Sequence, residues 1–272
     1  MRVVVCALAK NEHLYINDWV NHYLLLGFDK IYIYDNDDFD SPYIGDFIKN
    51  KDKVEIIDIR GRKEVNMHQR VFTNFYDNFA FDWCLFCDID EFLVGIGSIK
   101  GFLKLPYVRN YNQIRIKWRL YGDDDLIERD MKQPVYKVFK RVLHFSLHRN
   151  LKQSGTLQNQ GKALVRGGLR NVVFCSPHFA SYGTKSNVIP SILPNGKLCY
   201  SMVEIKENYN GNTIFLDHYM TKSLSEFVNQ KLNRNDAVYN QLLTLDYYWR
   251  INKKTSEKIK YLKEKKLWDI SK

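Results

Sequence analysis

The sequence lacks any apolar run of the roughly 20 residues that a membrane-spanning helix requires. Its first apolar stretch, residues 3–9, is too short for a secretory signal and is followed at once by Lys10, Asn11 and Glu12. The composition also lacks a low-complexity bias, since 45% of the residues are hydrophobic and 26% are charged. We therefore expect a folded cytoplasmic protein, or one that is peripheral on the cytoplasmic face of a membrane.

Cysteine is scarce and odd in number, with five residues in 272. Cys84 and Cys87 have the CxxC spacing, but they lie inside an apolar run and no second pair follows. A zinc site needs more ligands than this pair supplies, and a disulfide framework needs pairing throughout. The cysteines are therefore expected to be core residues of a protein from a reducing compartment.

The first 120 residues alternate between strand and helix patterns. Apolar runs predict strands at 2–9, 30–35, 53–59 and 83–88, and amphipathic spacing predicts helices at 13–26, 42–49 and 65–79. Asn11 is the expected cap of the first helix and Gly27 its expected end. This order predicts an α/β fold with a mixed, mostly parallel central sheet.

The second half is less regular. Strand-like runs occupy 112–121, 135–143, 172–175, 198–206 and 213–219, and the pattern becomes helical from about residue 223. We expect one domain over 1–222, with a first half at 1–95 and a second at 96–222. Residues 223–272 are then a helical C-terminal tail.

The end of this tail is basic. Residues 250–272 hold nine Lys or Arg and three Asp or Glu, so they carry +6 of the protein's net charge of +10. The apolar stripe of the segment is formed by Ile251, Ile259, Leu262, Leu267 and Trp268. Two interpretations remain open, a solvated terminal helix and attachment to an anionic membrane surface. No nucleic-acid-binding motif accompanies the charge, so nucleic acid is not an expected partner.

Polar residues follow all four predicted strands of the first half. They are Lys10, Asn11 and Glu12 after the first strand, Asp35 and Asn36 after the second, Asp58 and Arg60 after the third, and Asp88, Asp90 and Glu91 after the fourth. Ligands of open parallel sheets bind at the carboxyl ends of the strands. The sequence therefore predicts a binding site at this edge.

The sharpest pattern in this group is Asp88-Ile89-Asp90. Two carboxylates one residue apart point the same way if strand geometry continues, and their repulsion calls for a cation. Oxygen ligands of this kind suit Mn²⁺ or Mg²⁺, which keep positions open for phosphate oxygens. A metal site that binds a nucleoside diphosphate is favoured over a solvated acidic turn.

Several stretches together resemble the GT-A glycosyltransferases, in particular the family-2-like group near the family 92 type. They are ALAKNE at 7–12, Trp19 with His22-Tyr23, YDN at 34–36, Gln69, CDIDEFL at 87–93, Trp118 with Gly122, KALVR at 162–166, His178 and DHYMTKSLSEFVNQK at 217–231. The resemblance covers most of residues 3–234. The sequence departs from the family pattern at the acidic 122–125 loop and at 183–200. The resemblance therefore does not identify the acceptor.

The resemblance implies roles for single residues. Ala7 and Glu12 would border the base and ribose of a nucleotide, and Asp35 would contact the base. Asp88 would reach the ribose or the metal, and Asp90 and His218 would ligate the metal. The further expected nucleotide-sugar contacts are Lys10, Asn11 and Gln69, with Arg60, Lys162 and Arg166 as candidate diphosphate partners.

An inverting transfer needs a base near the acceptor hydroxyl. Asp123, Asp124, Asp125 and Glu128 qualify by position, and Asp124 or Asp125 is favoured, whereas a retaining enzyme would not need this base. His178 could face the site or close a strand. His68 lies on an apolar helix stripe and is expected to face the core.

The expectation is a metal-dependent hexosyltransferase that moves a sugar, with a UDP-sugar as the expected donor, to a hydroxyl of a surface glycan such as lipopolysaccharide or capsule. Its partners would be the nucleotide-sugar and a carbohydrate or glycolipid acceptor. Two alternatives remain. A nucleotidyltransferase would show a glycine-rich phosphate loop near the first strand, where KNE stands instead. A non-catalytic polyanion- or membrane-binding protein would use the positive charge, but it leaves the acidic strand ends unexplained.

Overall fold

The computed structural model describes residues 1–143, 160–199, 214–232 and 242–268. The chain folds into two units, each built from two segments of sequence. The first unit comprises Met1–Trp118 and Asn159–Asp217, and the second comprises Arg119–Gln158 and His218–Lys272. This division differs from the predicted boundary at residue 222, because the C-terminal helices group with the segment that begins at Arg119.

The first unit begins with the predicted alternation of strands and helices. Its elements are β1 (Val3–Ala9), α1 (Ile16–Leu25), β2 (Lys30–Asp35), a 3-10 turn (Ile44–Phe47), β3 (Val54–Asp58), α2 (Met67–Asn78) and β4 (Trp83–Asp88). All four strands were predicted to within two residues. The first helix starts later than predicted, at Ile16, and Asn11 does not cap it but takes a left-handed conformation with φ of 56°.

The later elements are shorter than the early ones. They are β5 (Glu91–Val94), α3 (Ile99–Leu103), α4 (Pro106–Arg109), β6 (Gln113–Leu120), α5 (Val135–Val138), β7 (Gly161–Arg166), β8 (Val172–Ser176), β9 (Phe179–Tyr182), β10 (Ser191–Ile192), β11 (Leu198–Cys199) and β12 (Phe215–His218). The strand predicted at 135–143 is wrong, because Pro134 precedes a short helical turn there. The predicted strand at 198–206 lies outside the described residues beyond Cys199.

The central sheet has the strand order β11-β10-β6-β7-β4-β1-β2-β3, and β5 pairs with β12 beside this row. The strands β1, β2, β3 and β4 are mutually parallel. Strand β7 runs antiparallel to both β4 and β6, and β6 is parallel to β10. The predicted α/β class, with a mixed and mostly parallel central sheet, is confirmed.

Buried faces of the two long helices cover this sheet. In α1 the buried residues are Ile16, Trp19, Val20 and Tyr23, and the helix is followed by Gly27 at φ of 87°. In α2 they are Met67, Val71, Phe72, Phe75 and Tyr76, which pack with Phe86 and Phe174 in one cluster. This apolar support holds the carboxyl ends of β1 to β4 in place.

The second unit has its own apolar core beneath the C-terminal helices α6 (Leu224–Gln230), α7 (Leu245–Ile251) and α8 (Ser256–Glu264). The core consists of Leu224, Phe227, Leu245, Tyr248 and Leu262. Helix α6 starts with a capping box in which Ser223 and Glu226 satisfy each other's backbone amides. The predicted helical character from residue 223 is confirmed for these three helices, while 233–241 and 269–272 lie outside the described residues. None of the helices in the described ranges is long and apolar enough to cross a membrane.

Candidate functional site

The carboxyl ends of β1, β2, β3 and β4 lie side by side and form what we call the carboxyl edge. The strand register pairs Ala9 with Asp35, Asp35 with Asp58, and Leu8 with Asp88. The parallel register therefore brings the polar residues after the four strands to one edge, as the sequence predicted. At this edge the sheet can present several charged groups to one ligand.

Asp88 is held by two basic side chains at the carboxyl edge. Its Oδ1 lies 2.9 Å from Nε2 of His68, and its Oδ2 accepts a hydrogen bond of 2.8 Å from Nζ of Lys162. The Lys162 side chain is 1% exposed, against 25% for Asp88. The predicted need for a cation beside Asp88 is therefore met in part by Lys162, which the sequence had assigned to a diphosphate.

Glu91 extends this cluster. Its Oε2 accepts the Asp88 N–H at 3.0 Å, and its Oε1 lies 3.8 Å from Nζ of Lys162. Burial raises the pKa of Glu91 well above its usual range, and the nearby Asp88 and Asp90 raise it further. Burial alone would raise the pKa of Asp88 as well, but Lys162 and His68 outweigh it and hold that pKa below its usual range. The environment thus favours the ionised form of Asp88 and the protonated form of Glu91.

The expectation that His68 faces the core is wrong. Its ring lies at an edge-to-face angle to Phe72, as the apolar stripe suggested, but its Nε2 reaches the Asp88 carboxylate. The sequence signal that could have found this contact is position. His68 lies in the first turn of α2, and that turn follows the carboxyl end of β3.

His178 lies at the turn between β8 and β9. Its Nδ1 donates to the Gly161 carbonyl at 2.9 Å, and its ring packs edge-on against Trp118. Burial lowers the pKa of His178 to about 3, and the positive charge of Lys162 adds to this effect. The imidazole is therefore neutral at physiological pH.

A pH dependence of stability follows from His178. In the unfolded chain its pKa is about 6.5, so between pH 3 and 6.5 the unfolded state binds a proton that the folded state does not. Stability is therefore complete above pH 6.5 and falls as the pH drops. We expect urea titrations to show a loss of about 1.5 kcal/mol from this group between pH 6.5 and 5. The loss should shrink in His178→Gln, and an unchanged pH slope in that variant would contradict the assignment.

The Asp35 carboxylate hydrogen-bonds to the backbone of the loop that follows β2. It is fully buried, and its two oxygens accept the backbone N–H groups of Asp37 at 3.2 Å and Ile44 at 3.1 Å. The carboxylate therefore ties down the loop that follows β2, while its predicted contact with a base stays a prediction.

Asp37 is a buried residue that the sequence reasoning missed. It accepts the Asn11 N–H at 2.5 Å and lies 3.1 Å from Nε2 of His13, so it joins the segments that follow β1 and β2. Burial raises its pKa, and Asp35 raises it further. The only signal in the sequence was the acidic run after β2.

Arg60 and the residues after β1 surround the same edge. Three hydrogen bonds of 2.9–3.2 Å join the Arg60 guanidinium to Asp58, and its face lies 5.3 Å from the Tyr43 ring. Lys10 lies 3.7 Å from Asp38, and Glu12 is 6% exposed. Ala7 is buried inside β1. Their contacts with a nucleotide stay predictions.

Gln69 lies on α2 beside an open cavity of about 750 Å³. The cavity also has Tyr34, Asp58 and Asn74 in its lining, so it adjoins β2, β3 and α2. The Gln69 amide donates to Asn66 Oδ1 at 3.2 Å. Its predicted contact with a nucleotide-sugar also stays a prediction.

Arg166 does not reach the carboxyl edge. It pairs in register with Trp83, the first residue of β4, so it lies at the opposite edge of the sheet from Asp88. Its guanidinium donates to the carbonyls of Arg109 at 2.8 Å and Tyr111 at 3.2 Å. Because β7 runs antiparallel to β4, the structure does not bring Arg166 together with Asp88, and its contact with a diphosphate stays a prediction.

The second unit contains the acidic loop that was predicted to supply a base. Asp124 accepts the N–H groups of Lys140 and Arg141, and Asp125 pairs with the Arg141 guanidinium at 2.9 Å. The Arg141 hydrogen bond lowers the pKa of Asp125. Since a general base works best with a pKa near the working pH, this ion pair disfavours Asp125, and the catalytic role of either residue stays a prediction.

Asp123 is the buried member of this loop. It is fully buried, and its carboxylate accepts hydrogen bonds from the Tyr248 hydroxyl and the Lys258 ammonium. Its N–H donates to Asn252 Oδ1 at 2.9 Å. The C-terminal helices therefore hold the loop in place.

The predicted apolar stripe of the basic tail faces inward. Leu262 is fully buried and Ile251 is 3% exposed, while Leu267 and Trp268 pack against the core of the second unit. Most of the stripe therefore packs inside the second unit, whereas Ile259 is half-buried and Lys260 is exposed. Attachment of the tail to an anionic membrane surface stays a prediction.

The predicted metal ligands fall in both units. Asp88 and Asp90 belong to the first unit and His218, 7% exposed, to the second. Within the ranges that the structure describes, no group of three or more His, Cys, Asp or Glu side chains is arranged to hold a metal ion. The metal roles of these residues stay predictions.

No protein-family model and no curated protein matches the sequence. Among solved structures, the chain is similar to residues 1–349 of TarS from S. aureus, with a TM-score of 0.37 and 13% identity over 61% of this chain and 47% of that one. TarS has also been solved with UDP-GlcNAc and with UDP. Mannosyl-3-phosphoglycerate synthase from Rubrobacter xylanophilus matches with a TM-score of 0.36 and 12% identity over 61% of this chain and 53% of that one.

A third similar structure is the galactosyltransferase LgtC in complex with donor and acceptor sugar analogues. Its TM-score is 0.29 with 10% identity, and the match covers 60% of this chain and 57% of that one. The chain thus spans about half the length of the structures it matches.

Proposed function

We propose that the protein is a glycosyltransferase that binds a nucleotide-sugar at the carboxyl edge of its first unit. The observation that carries the proposal is the Asp88 carboxylate, held by Lys162 and His68 beside three other parallel strand ends. A carboxylate fixed at this place can accept hydrogen bonds from a ribose or ligate a metal that faces a diphosphate. The proposal places the protein in the GT-A group that its sequence motifs resemble.

The proposal includes Mn²⁺ or Mg²⁺ as the cofactor. Such ions use one or two carboxylates and complete their coordination shell with water and substrate phosphates. Asp88 and Asp90 are ligands of the right type and number, and His218 is a further candidate ligand. When bound, the ion would neutralise charge on the leaving diphosphate. Lys162 contributes by partly neutralising Asp88, which lowers the repulsion that a diphosphate would meet.

Other residues of the carboxyl edge would orient the donor. Arg60 is held by Asp58, so its guanidinium would meet an anionic group with little loss of conformational freedom. Asp35 and Asp37 fix the loop after β2, where the base of a UDP-sugar would lie. Lys10, Asn11, Glu12 and Gln69 are the remaining candidates for donor contacts.

The acceptor in this proposal is a carbohydrate hydroxyl on a surface glycan or glycolipid. The transfer would be inverting, with Asp124 or Asp125 as the candidate base. Contact with an anionic membrane would depend on the exposed lysines of the tail, for example Lys260 of α8, and not on an apolar stripe.

The experiment that tests the proposal is thermal unfolding with UDP, GDP, CMP and ADP, each with and without Mn²⁺. A ligand that binds the folded state raises the melting temperature by mass action. We expect a rise with UDP that requires Mn²⁺. A rise with another nucleotide would keep the enzyme class and change the donor. No rise with any nucleotide, from folded protein, would contradict the proposal and favour a polyanion-binding protein, whose binding would fall with salt and ignore Mn²⁺.

A further inference from the structure

Three side chains of α1 hydrogen-bond to the backbone of residues 88–93, which we call the 88–93 segment. The Trp19 indole N–H donates to the carbonyls of Asp88 and Glu91, each at 3.0 Å. The Tyr23 hydroxyl donates to the Glu91 carbonyl at 3.0 Å and accepts the Leu93 N–H at 3.3 Å. His22 Nε2 lies 2.7 Å from the Leu93 carbonyl. One helix therefore holds both ends of the segment that carries Asp88 and Asp90.

The side chains that make these contacts are held by packing. Trp19 and Tyr23 are fully buried, and their rings pack against each other with centroids 4.8 Å apart. Burial also lowers the pKa of His22, which favours the neutral ring, and the Leu93 carbonyl 2.7 Å away favours the tautomer in which Nε2 carries the proton. Packing has already fixed the donors, so the segment meets them without further ordering.

Side chains outside α1 hold the Asp88 carboxylate of the same segment. Lys162 and His68 bind the Asp88 carboxylate, and Glu91 accepts the Asp88 N–H. The α1 contacts fix the backbone, and these contacts fix the carboxylate. Both are needed to set where Asp88 points, because a side chain is placed only as well as its backbone.

We propose that Trp19 and Tyr23 are positioning residues, which hold the 88–93 segment in the geometry that binds the nucleoside diphosphate. The inference rests on the proposed function. It explains the Trp-x-x-His-Tyr spacing of α1, since Trp19, His22 and Tyr23 lie on the side of the helix that faces this segment. Neither residue touches the ligand in this account, and both act through backbone carbonyls.

The test compares Trp19→Phe and Tyr23→Phe with the matched control Tyr76→Phe. Tyr76 is also a buried tyrosine of the first unit whose hydroxyl donates to a backbone carbonyl, that of Arg166 at 2.7 Å, and accepts a backbone N–H, that of Leu169 at 3.0 Å. Its contacts lie at the opposite edge of the sheet. Tyr23→Phe and Tyr76→Phe therefore each remove one donated and one accepted backbone hydrogen bond and should lower the melting temperature by similar amounts. Tyr23→Phe also removes a weak hydrogen bond from the Cys87 thiol at 3.6 Å.

Two quantities are measured for each variant, the dissociation constant for UDP with Mn²⁺ by calorimetry and the amide hydrogen exchange of the 88–93 segment. We expect Trp19→Phe and Tyr23→Phe to weaken UDP binding about 10-fold or more and to speed exchange in the segment. Tyr76→Phe should stay within about twofold of the wild type on both readouts. Tyr23→Phe keeps the ring, so it remains informative if Trp19→Phe folds poorly.

The inference is overturned if Tyr23→Phe binds UDP as Tyr76→Phe does, or if exchange in the 88–93 segment does not change. Failure of the proposed function gives a different result, in which the wild type itself binds no nucleotide. In that case the proposed role of Trp19 and Tyr23 in ligand binding is rejected together with the proposed function. The exchange rates then still decide whether Trp19 and Tyr23 hold the segment.

Discussion

Replacing Lys162 with methionine is expected to lower the free energy of unfolding of the first unit by about 3 kcal/mol. The side chain is 1% exposed and carries the ammonium that pairs with Asp88 at 2.8 Å and faces Glu91 at 3.8 Å. Without it, the largely enclosed Asp88 carboxylate keeps His68 as its only basic partner among the residues that the structure describes. Urea titration of the wild type and the variant at pH 7 measures the loss.

Two controls separate this effect from a general loss of charge. Lys30→Met removes a partly exposed lysine that lies 3.4 Å from the exposed Glu55, and it should cost at most about 0.5 kcal/mol. The double variant Lys162→Met with Asp88→Asn should be less destabilised than the two single losses together, because the unpaired charge is gone. Equal losses for Lys162→Met and Lys30→Met would show that the buried pair does not stabilise the unit.

Replacing Lys258 with methionine should destabilise the second unit by about 3–5 kcal/mol. Lys258 and Asp123 are both fully buried and paired, and Asp123 also accepts a hydrogen bond from Tyr248. The change leaves the buried Asp123 carboxylate without its hydrogen-bonded cation, and the nearest guanidinium, that of Arg141, is 3.9 Å away. It should also loosen the 123–125 loop, which amide hydrogen exchange of residues 119–143 would report.

Lys260→Met is the matched control for this prediction. Lys260 lies on the same helix, α8, but is exposed, so the same loss of charge should leave stability within about 0.5 kcal/mol. Similar losses of stability in the two variants would contradict the structural role of Lys258.

The burial of Lys258 also affects how the basic tail can be tested. Truncating residues 250–272 would remove Lys258 and Leu262 from a folded core, so vesicle binding is better tested with exposed lysines of α8.

The first half of the fold could be predicted because its signals are local. The apolar runs of β1, β2, β3 and β4 are buried strands, and parallel strands joined by helices bring their carboxyl ends together. The carboxyl edge follows from these two facts alone. The order of the remaining strands could not be predicted, because β7 inserts between β4 and β6 through pairings that are distant in sequence.

The roles of Lys162 and Arg166 show why strand direction matters. The two residues lie at opposite ends of β7, and the sequence assigned both to the diphosphate. Because β7 runs antiparallel to β4, its first residues lie near the carboxyl edge and its last residue pairs with the start of β4. Residue type alone therefore does not tell which of the two lies at the carboxyl edge, because that depends on the direction of the strand.

The buried ion pair of the second unit could not be predicted for a related reason. Its acidic loop and its C-terminal helices are separated by about a hundred residues, and the contact between Asp123 and Lys258 is buried and ionic. Sequence periodicity reports which face of a helix is apolar, and it correctly marked Leu262. Periodicity does not indicate which buried lysine forms an ion pair with a carboxylate, since such pairs depend on the packing of both segments.

Calorimetric titration of UDP, with and without Mn²⁺, into the wild type and into Asp90→Asn would test the proposed nucleotide site most directly. Asp29→Asn is the control, since Asp29 precedes β2 at the opposite edge of the sheet and pairs with Lys100. We expect Mn²⁺-dependent binding of UDP to the wild type and to Asp29→Asn, and loss of this binding in Asp90→Asn. Binding of UDP that is equal in all three proteins would contradict the placement of the nucleotide at the carboxyl edge.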